Sequence, residues 1–230
     1  MNKSHAFAFF DLANYPHKEL FQSISFVWEA LSQIKPYLAA FPLGYNEGKL
    51  AENVFLENKE QISIGTGTIV ESGAFIRGPC IIGKNCVIRH GAYIRGHVIT
   101  GDSCVIGHDT EVKNSIFFND SHAAHFAYVG DSILGNGVNL GAGTICANLK
   151  LDRTDIYIDI EGERFETGLR KLGAILGDAA QTGCNSVLSP GTLFGKSACC
   201  YPCMHVLGFI PENHIVKNAE QQILRKRSDK

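Results

Sequence analysis

The sequence predicts an all-β solenoid, a parallel β-helix of hexapeptide repeats, on three observations. Large aliphatic residues recur every six positions, small or β-branched residues recur four places behind them, and glycines sit directly after several of the large ones. Stepping by six from Ile64 gives Val70, Ile76, Ile82, Ile88, Ile94, Thr100, Ile106, Val112, Phe118 and Ala124. The second series is Thr68, Ala74, Cys80, Cys86, Ala92, Val98, Cys104 and Thr110. A period of six suits neither an amphipathic helix nor a long alternating strand. It suits short strands joined by tight turns around a triangular prism, with the large residue on the axis and the small one at the corner. Gly65, Gly83, Gly101 and Gly107 fit those corners. Three hexads make one coil, and coils stack at about the 4.8 Å strand spacing.

Val129, Leu134, Leu140 and Cys146 continue the ladder with a five-residue step, and Leu176, Thr182, Leu188, Phe194, Cys200 and Val206 resume it. The break between them, about 147–175, contains IYIDI, Glu161-Gly162 and ERFET, which reads as a protruding β-hairpin. Ahead of the repeats, Leu20, Ile24, Val27, Leu31 and Ile34 have helical spacing after Pro16. This predicts a helix near 16–35 that ends before Pro36 and caps the open end of the prism. The expected organisation is therefore an N-terminal helical cap over 1–60, the β-helix over 61–210, and a tail over 211–230. The tail is expected to form a short helix or pack on a neighbouring subunit, with its last residues disordered.

The 230 residues carry a formal net charge of -2, which gives no reason to expect nucleic acid or a polybasic membrane contact. No apolar run approaches the roughly 18 residues of a membrane span, and the N-terminus lacks the marks of a signal peptide. The eight cysteines read as free thiols in a reducing cytoplasm. Cys80, Cys86 and Cys104 fall on small inward positions, and Cys200 within the CCxxC at 199–203 falls on the axial ladder, so packing explains them better than redox or metal chemistry.

Outward positions 18 apart lie above one another in such a prism, and Arg77, Arg95 and Lys113 form one such column. Stacked cations repel, so the column reads either as an anion site suited to phosphate or as a solvated basic stripe. His90 and His108 stack one coil apart, and His122 and His125 flank a change of register. A histidine has a suitable pKa for a general base, although any one of these is more often structural. A zinc hydratase of this fold would need a histidine pair five residues apart, which the sequence lacks; no metal is expected.

At His125-Phe-Ala-Tyr128-Val-Gly-Asp131, followed by Val138-Asn139-Leu140-Gly141-Ala142-Gly143-Thr144-Ile145 and Asn148, the chain resembles a known family. It is similar to the acetyltransferase half of the bifunctional UDP-N-acetylglucosamine pyrophosphorylase/glucosamine-1-phosphate acetyltransferases. The run RKLGAILGDAAQTGCNSVLSPG resembles the archaeal sugar-1-phosphate branch. The resemblance covers about 60–206 and implies that the β-helix is left-handed and the protein a homotrimer using acetyl-CoA. By the same resemblance His125 is the catalytic base, Arg95 and Lys113 hold the sugar phosphate, and Tyr128, Asn139 and Asn148 contact the sugar. The backbone at Ala142 meets the acetyl thioester, and Cys184 stands where the family has a serine that contacts coenzyme A. A further family lysine has no clear counterpart, and Lys150, Arg153 and Lys171 are the candidates for its place. The implied function is N-acetylation of an amino-sugar 1-phosphate, glucosamine-1-phosphate first, for nucleotide-sugar and cell-envelope precursors. Residues 1–60 hold no nucleotide loop, so no nucleotidyl transfer is expected. The rival readings are a non-catalytic scaffold or regulatory subunit, an acyltransferase for a nucleotide-linked amino sugar, and metal-dependent hydration.

Overall fold

The computed structural model describes residues 4–217 and, as backbone, 224–226. The chain folds as an all-β left-handed parallel β-helix with three sheets along its sides. The first sheet includes Val87–Ile88, Val105–His108, His122–His125 and Asn139–Leu140. The second includes Phe75–Arg77, Tyr93–Ile94, Glu111–Lys113, Tyr128–Gly130 and Ile145–Cys146. The third includes Cys80–Ile82, Val98–Thr100, Ser115–Phe117, Ile133–Leu134, Ala174–Leu176 and Thr192–Phe194. The axial aliphatics and the small corner residues are buried together in one continuous core.

The ladder departs from the six-residue count at one corner. Thr100 pairs with Phe117 and Ile106 with Ala123, so Phe117 and Ala123, and not Phe118 and Ala124, point to the axis. At the corner between the second and third sheets the earlier coil uses two residues, Gly96-His97, where the next uses the single left-handed Asn114 (φ 43°). Asp131 (φ 49°) repeats that shortened corner one coil later. Asn and Asp tolerate the left-handed region through short polar side chains, and the coil shrinks from 18 residues to 17.

The expected hairpin is present as antiparallel Tyr157–Ile160 and Glu163–Glu166. The β-helix begins before residue 61, since Lys49–Leu50 and Phe55–Glu57 already pair with the next coil. It also runs past 210, because His214–Val216 continues the first sheet and pairs with the returning Leu224–Lys226. The tail is thus strand, not helix, where it is described; 218–223 and 227–230 lie outside the described residues.

The N-terminal segment does not plug the end of the prism. It lies along the outer side of the third sheet, where Ile81, Ile99, Ile116, Ile133, Ile175 and Leu193 form an outward apolar column. Phe10, Tyr15 and Phe21 pack there against Phe118, with Tyr15 stacked on Phe118 at 4.0 Å between ring centroids. The hairpin joins this layer through Phe165, which meets Phe26 and Trp28 edge-on. The helix expected at 16–35 is broken into the 3-10 turns Lys18–Phe21 and Val27–Glu29 and the α-helix Ala30–Ala40. Glu29 accepts hydrogen bonds from the Ser25 and Phe26 backbone N–H groups and caps a new start. Pro36 lies inside the helix. It forfeits one backbone bond, outweighed by burial of Leu31, Ile34 and Leu38.

Candidate active site on the second sheet

The register aligns His90, His108, His125, Ala142 and Cys184 along the corner between the first and second sheets. His90 and His108 stack at 5.7 Å, and each ring Nδ1 lies against the carbonyl of the residue one coil earlier, Ser72 and His90. His125 is exposed, with Nε2 3.5 Å from Arg89 Nη1. The Gly143 N–H donates to the His125 carbonyl, and the Ala142 carbonyl accepts from Asn185. The Ala142 N–H has no acceptor among the described residues, which leaves a backbone donor one coil from the imidazole. Cys184 follows in the next coil and is exposed.

Phe126 follows His125 in the left-handed region (φ 51°), where the equivalent corner residues are Gly73, Gly91, Asp109 and Gly143. A bulky residue there is a strained choice. Its ring is exposed and meets His108 edge-on at 5.0 Å. Sequence reasoning missed Phe126, although its signal was present: a phenylalanine in a file of glycines and an aspartate.

The opposite edge of the same face carries the basic column. Arg77, Arg95 and Lys113 stack in successive coils as expected. They are not bare cations: Arg77 pairs with Glu57 at 2.9 Å, Arg95 with Glu111 at 2.6 Å, and Lys113 with Asp131 at 2.6 Å. Asp131 is buried and also accepts from Asn114 and Asn148, so one carboxylate fixes three side chains. Tyr128 stands between the two edges, paired in register with Glu111. Its phenol pKa is raised by burial first and then by Asp131 and Glu111, while Arg95 and Asn148 pull the other way. These residues share one face because they occupy consecutive outward positions of one sheet. From His125 to Gly130, the register partner of Lys113, the chain turns the left-handed corner at Phe126 and then runs along the strand Tyr128–Gly130.

Arg95, Lys113 and Asp131 line a cleft of about 310 Å³ together with Lys35, His97 and Lys171. Of the three candidates for the missing lysine, Lys171 reaches this cleft; Lys150 instead bonds Thr154 and pairs with Asp152 at 3.6 Å, beside Arg153 in an exposed loop. Lys35, from the helix Ala30–Ala40, and His97 are cleft residues that sequence reasoning missed. Asn139 is not on this face. It lies outward on the first sheet, beside His122. Among the described residues no group of three or more His, Cys, Asp or Glu is arranged to hold a metal ion, and no helix is long and apolar enough to cross a membrane.

Curated relatives share this region. A bifunctional sugar-1-phosphate nucleotidylyltransferase/acetyltransferase from Sulfurisphaera tokodaii is 43% identical over 82 residues, 36% of this chain and 20% of the relative. A bifunctional protein GlmU from Methanocaldococcus jannaschii is 36% identical over 102 residues, 44% of this chain and 25% of the relative. The chain therefore spans about a quarter or less of the length of these relatives. Among solved structures, an Arabidopsis UDP-N-acetylglucosamine acyltransferase aligns with a TM-score of 0.45 at 12% identity, covering 80% of this chain and 74% of that one. Residues 76–223, more than half of the sequence, match the model of the GMPPB C-terminal domain, and the chain belongs to that family.

Proposed function

We propose that the protein is an acetyl-CoA-dependent N-acetyltransferase acting on an amino sugar that carries an anomeric phosphate, glucosamine-1-phosphate being the simplest member. The observation that carries this reading is the division of one prism face. A histidine and an unpaired backbone N–H occupy one edge, and a carboxylate-ordered pair of cations occupies the other. The relatives named as acetyltransferases act in the same direction.

Acetyl-CoA supplies the activated acetyl group: the new C–N bond replaces the thioester C–S bond, and the coenzyme leaves as its thiol with the proton that the amine gave up. The sugar amine attacks only when neutral, so His125 takes its proton as general base. Arg95 and Lys113 hold the phosphate and thereby orient the amine toward the other edge. Tyr128 and Asn148 bound the sugar between them. The Ala142 N–H stabilises the oxyanion that develops on the thioester carbonyl. Cys184 lines the path of the coenzyme next to Ala142. Asn139, on the neighbouring face, serves the site from another copy of the chain, which makes a homotrimer the expected assembly.

A thiol-release assay with acetyl-CoA and a panel of amino-sugar 1-phosphates tests the reading. Turnover on at least one member, reduced about 100- to 10,000-fold by His125→Ala, is the expected result. Because His125 is exposed, that variant keeps its thermal stability. No turnover with any member of the panel, or full activity in His125→Ala, would overturn the proposal.

A further inference from the structure

We propose that the cleft beside Arg95 and Lys113 is built for two linked phosphates, so that the preferred acceptor is a nucleoside-diphosphate-linked amino sugar. This rests on the proposed function only in taking Arg95 and Lys113 as the subsite nearest the sugar.

The argument is one of charge and placement. Five cationic side chains line the cleft: Lys35, Arg77, Arg95, Lys113 and Lys171. Three of them are matched by carboxylates, Glu57, Glu111 and Asp131. Lys35 and Lys171 form no ion pair among the described residues, and both are exposed. The surplus is therefore two positive charges, held by residues that do not belong to the repeat. Lys35 comes from the helix Ala30–Ala40, and Lys171 from the return of the hairpin insertion, where Leu149 bridges Lys171. His97 lies among them, and its pKa is lowered by burial first and then by the Lys35 and Lys113 charges. Like charges brought together without carboxylates are unfavourable in the empty fold, and a bound polyanion relieves them.

The dimensions agree. Arg77, Arg95 and Lys113 rise through three coils, about 10 Å at the strand spacing. That is room for more than one phosphate group along the column, and Lys35 and Lys171 line the same cleft. Coenzyme A also contains a diphosphate, but its acetyl end is assigned to the His125–Ala142 edge, across the Tyr128 face from the cleft.

Titration calorimetry with inorganic phosphate and inorganic pyrophosphate tests this on the full chain. Pyrophosphate is expected to bind at least about tenfold tighter than phosphate. Lys35→Ala and Lys171→Ala should each weaken pyrophosphate about five- to tenfold and leave phosphate within about twofold, whereas Arg95→Ala weakens both. Because Lys35 and Lys171 are exposed, these variants should melt like the parent, which a thermal scan verifies. Coenzyme A should leave pyrophosphate binding unchanged, and a nucleoside-diphosphate amino sugar should displace it more effectively than the 1-phosphate. Equal affinity for the two anions, indifference of pyrophosphate to Lys35→Ala and Lys171→Ala, or displacement by coenzyme A would each overturn the inference. The binding arms do not depend on catalysis. Tight pyrophosphate binding without acetyl transfer would sink the catalytic reading alone; acetyl transfer without a pyrophosphate preference would sink the diphosphate site alone.

Discussion

Lys113 Nζ lies 2.6 Å from the Asp131 carboxylate, and Asp131 is held in turn at a left-handed corner that saves one residue per coil. The same shortened corner therefore sets the register of the later coils and aims a cation. Removing the carboxylate leaves a half-buried ammonium with no partner, together with the amides of Asn114 and Asn148. Asp131→Ala should cost about 3 kcal/mol of stability and raise KM for the sugar phosphate more than it lowers kcat. Chemical denaturation and steady-state kinetics check this. A stability change below about 0.5 kcal/mol would mean the pair is not formed.

Gly130 offers a probe that acts on side chains and spares the backbone. A Cβ built there would lie 2.6 Å from the Tyr128 hydroxyl and 2.8 Å from the Asn148 amide nitrogen. Both are ends of side chains that can swing away. Gly130→Ala should fold, with a loss of no more than about 1–2 kcal/mol, yet impair acetyl transfer by moving Tyr128 and Asn148. Gly107→Ala contrasts with it, because its Cβ would meet the Ala124 carbonyl oxygen at 1.6 Å, which is backbone. That variant should lose about 3 kcal/mol or fail to fold. Thermal melts of the two, side by side, separate the cases.

His17 makes the fold sensitive to acid. Burial lowers its pKa from 6.5 to about 4, opposed by the charges of Glu19 and Asp102, and its Nδ1 lies 2.9 Å from the Tyr37 hydroxyl. Between about pH 4 and 6.5 the unfolded chain binds a proton on His17 that the folded chain does not. The stability that this histidine contributes is therefore complete above pH 6.5 and is lost as the pH falls toward 4, by at most about 3 kcal/mol. Unfolding free energies at pH 7 and pH 4.5 should differ less in His17→Asn than in the parent. Parallel loss in both proteins would exclude this source.

The Tyr15 hydroxyl is buried without a hydrogen-bond partner among the described residues. Its ring earns its place by stacking on Phe118. Tyr15→Phe keeps the stack and removes the orphan, so it should raise stability by about 1 kcal/mol. A calorimetric melting temperature below that of the parent would refute the assignment.

Strain at Phe126 sets stability against activity. Phe126→Gly relieves the left-handed backbone at φ 51° and should be neutral or stabilising by up to about 1 kcal/mol. If the exposed ring borders the active edge, the same variant loses acetyl transfer. Gain of stability with loss of activity is the expected pair, read by melts and turnover together.

The prism itself was legible because axial burial imposes a period, and Ile64 to Val112 keep that period without error. Where the chain passed from 18 to 17 residues per coil, the sequence offered two adjacent phenylalanines. Only the paired backbone distinguishes Phe117, which faces the axis, from Phe118, which faces Tyr15. The outer apolar column was equally available, one place before the axial residue at Ile81, Ile99, Ile116 and Ile133. It was hidden because a hydrophobic pair in one hexad out of three resembles ordinary β composition. Arg95 and Lys113 followed from spacing, since a fixed coil length stacks them. Lys35 did not, because no repeat rule relates a helix to the coil beside it.

The strap of N-terminal residues along the third sheet changes how this solenoid should come apart. A stack of coils with only neighbour contacts unravels rung by rung from its ends. Here Phe9, Phe10, Phe21, Trp28 and Leu31 share one apolar layer with residues from Ile81 to Leu193, so distant rungs cannot be released without peeling the strap from all of them. The molecule should melt in one sharp step, as a splinted rod breaks and not as a zipper opens.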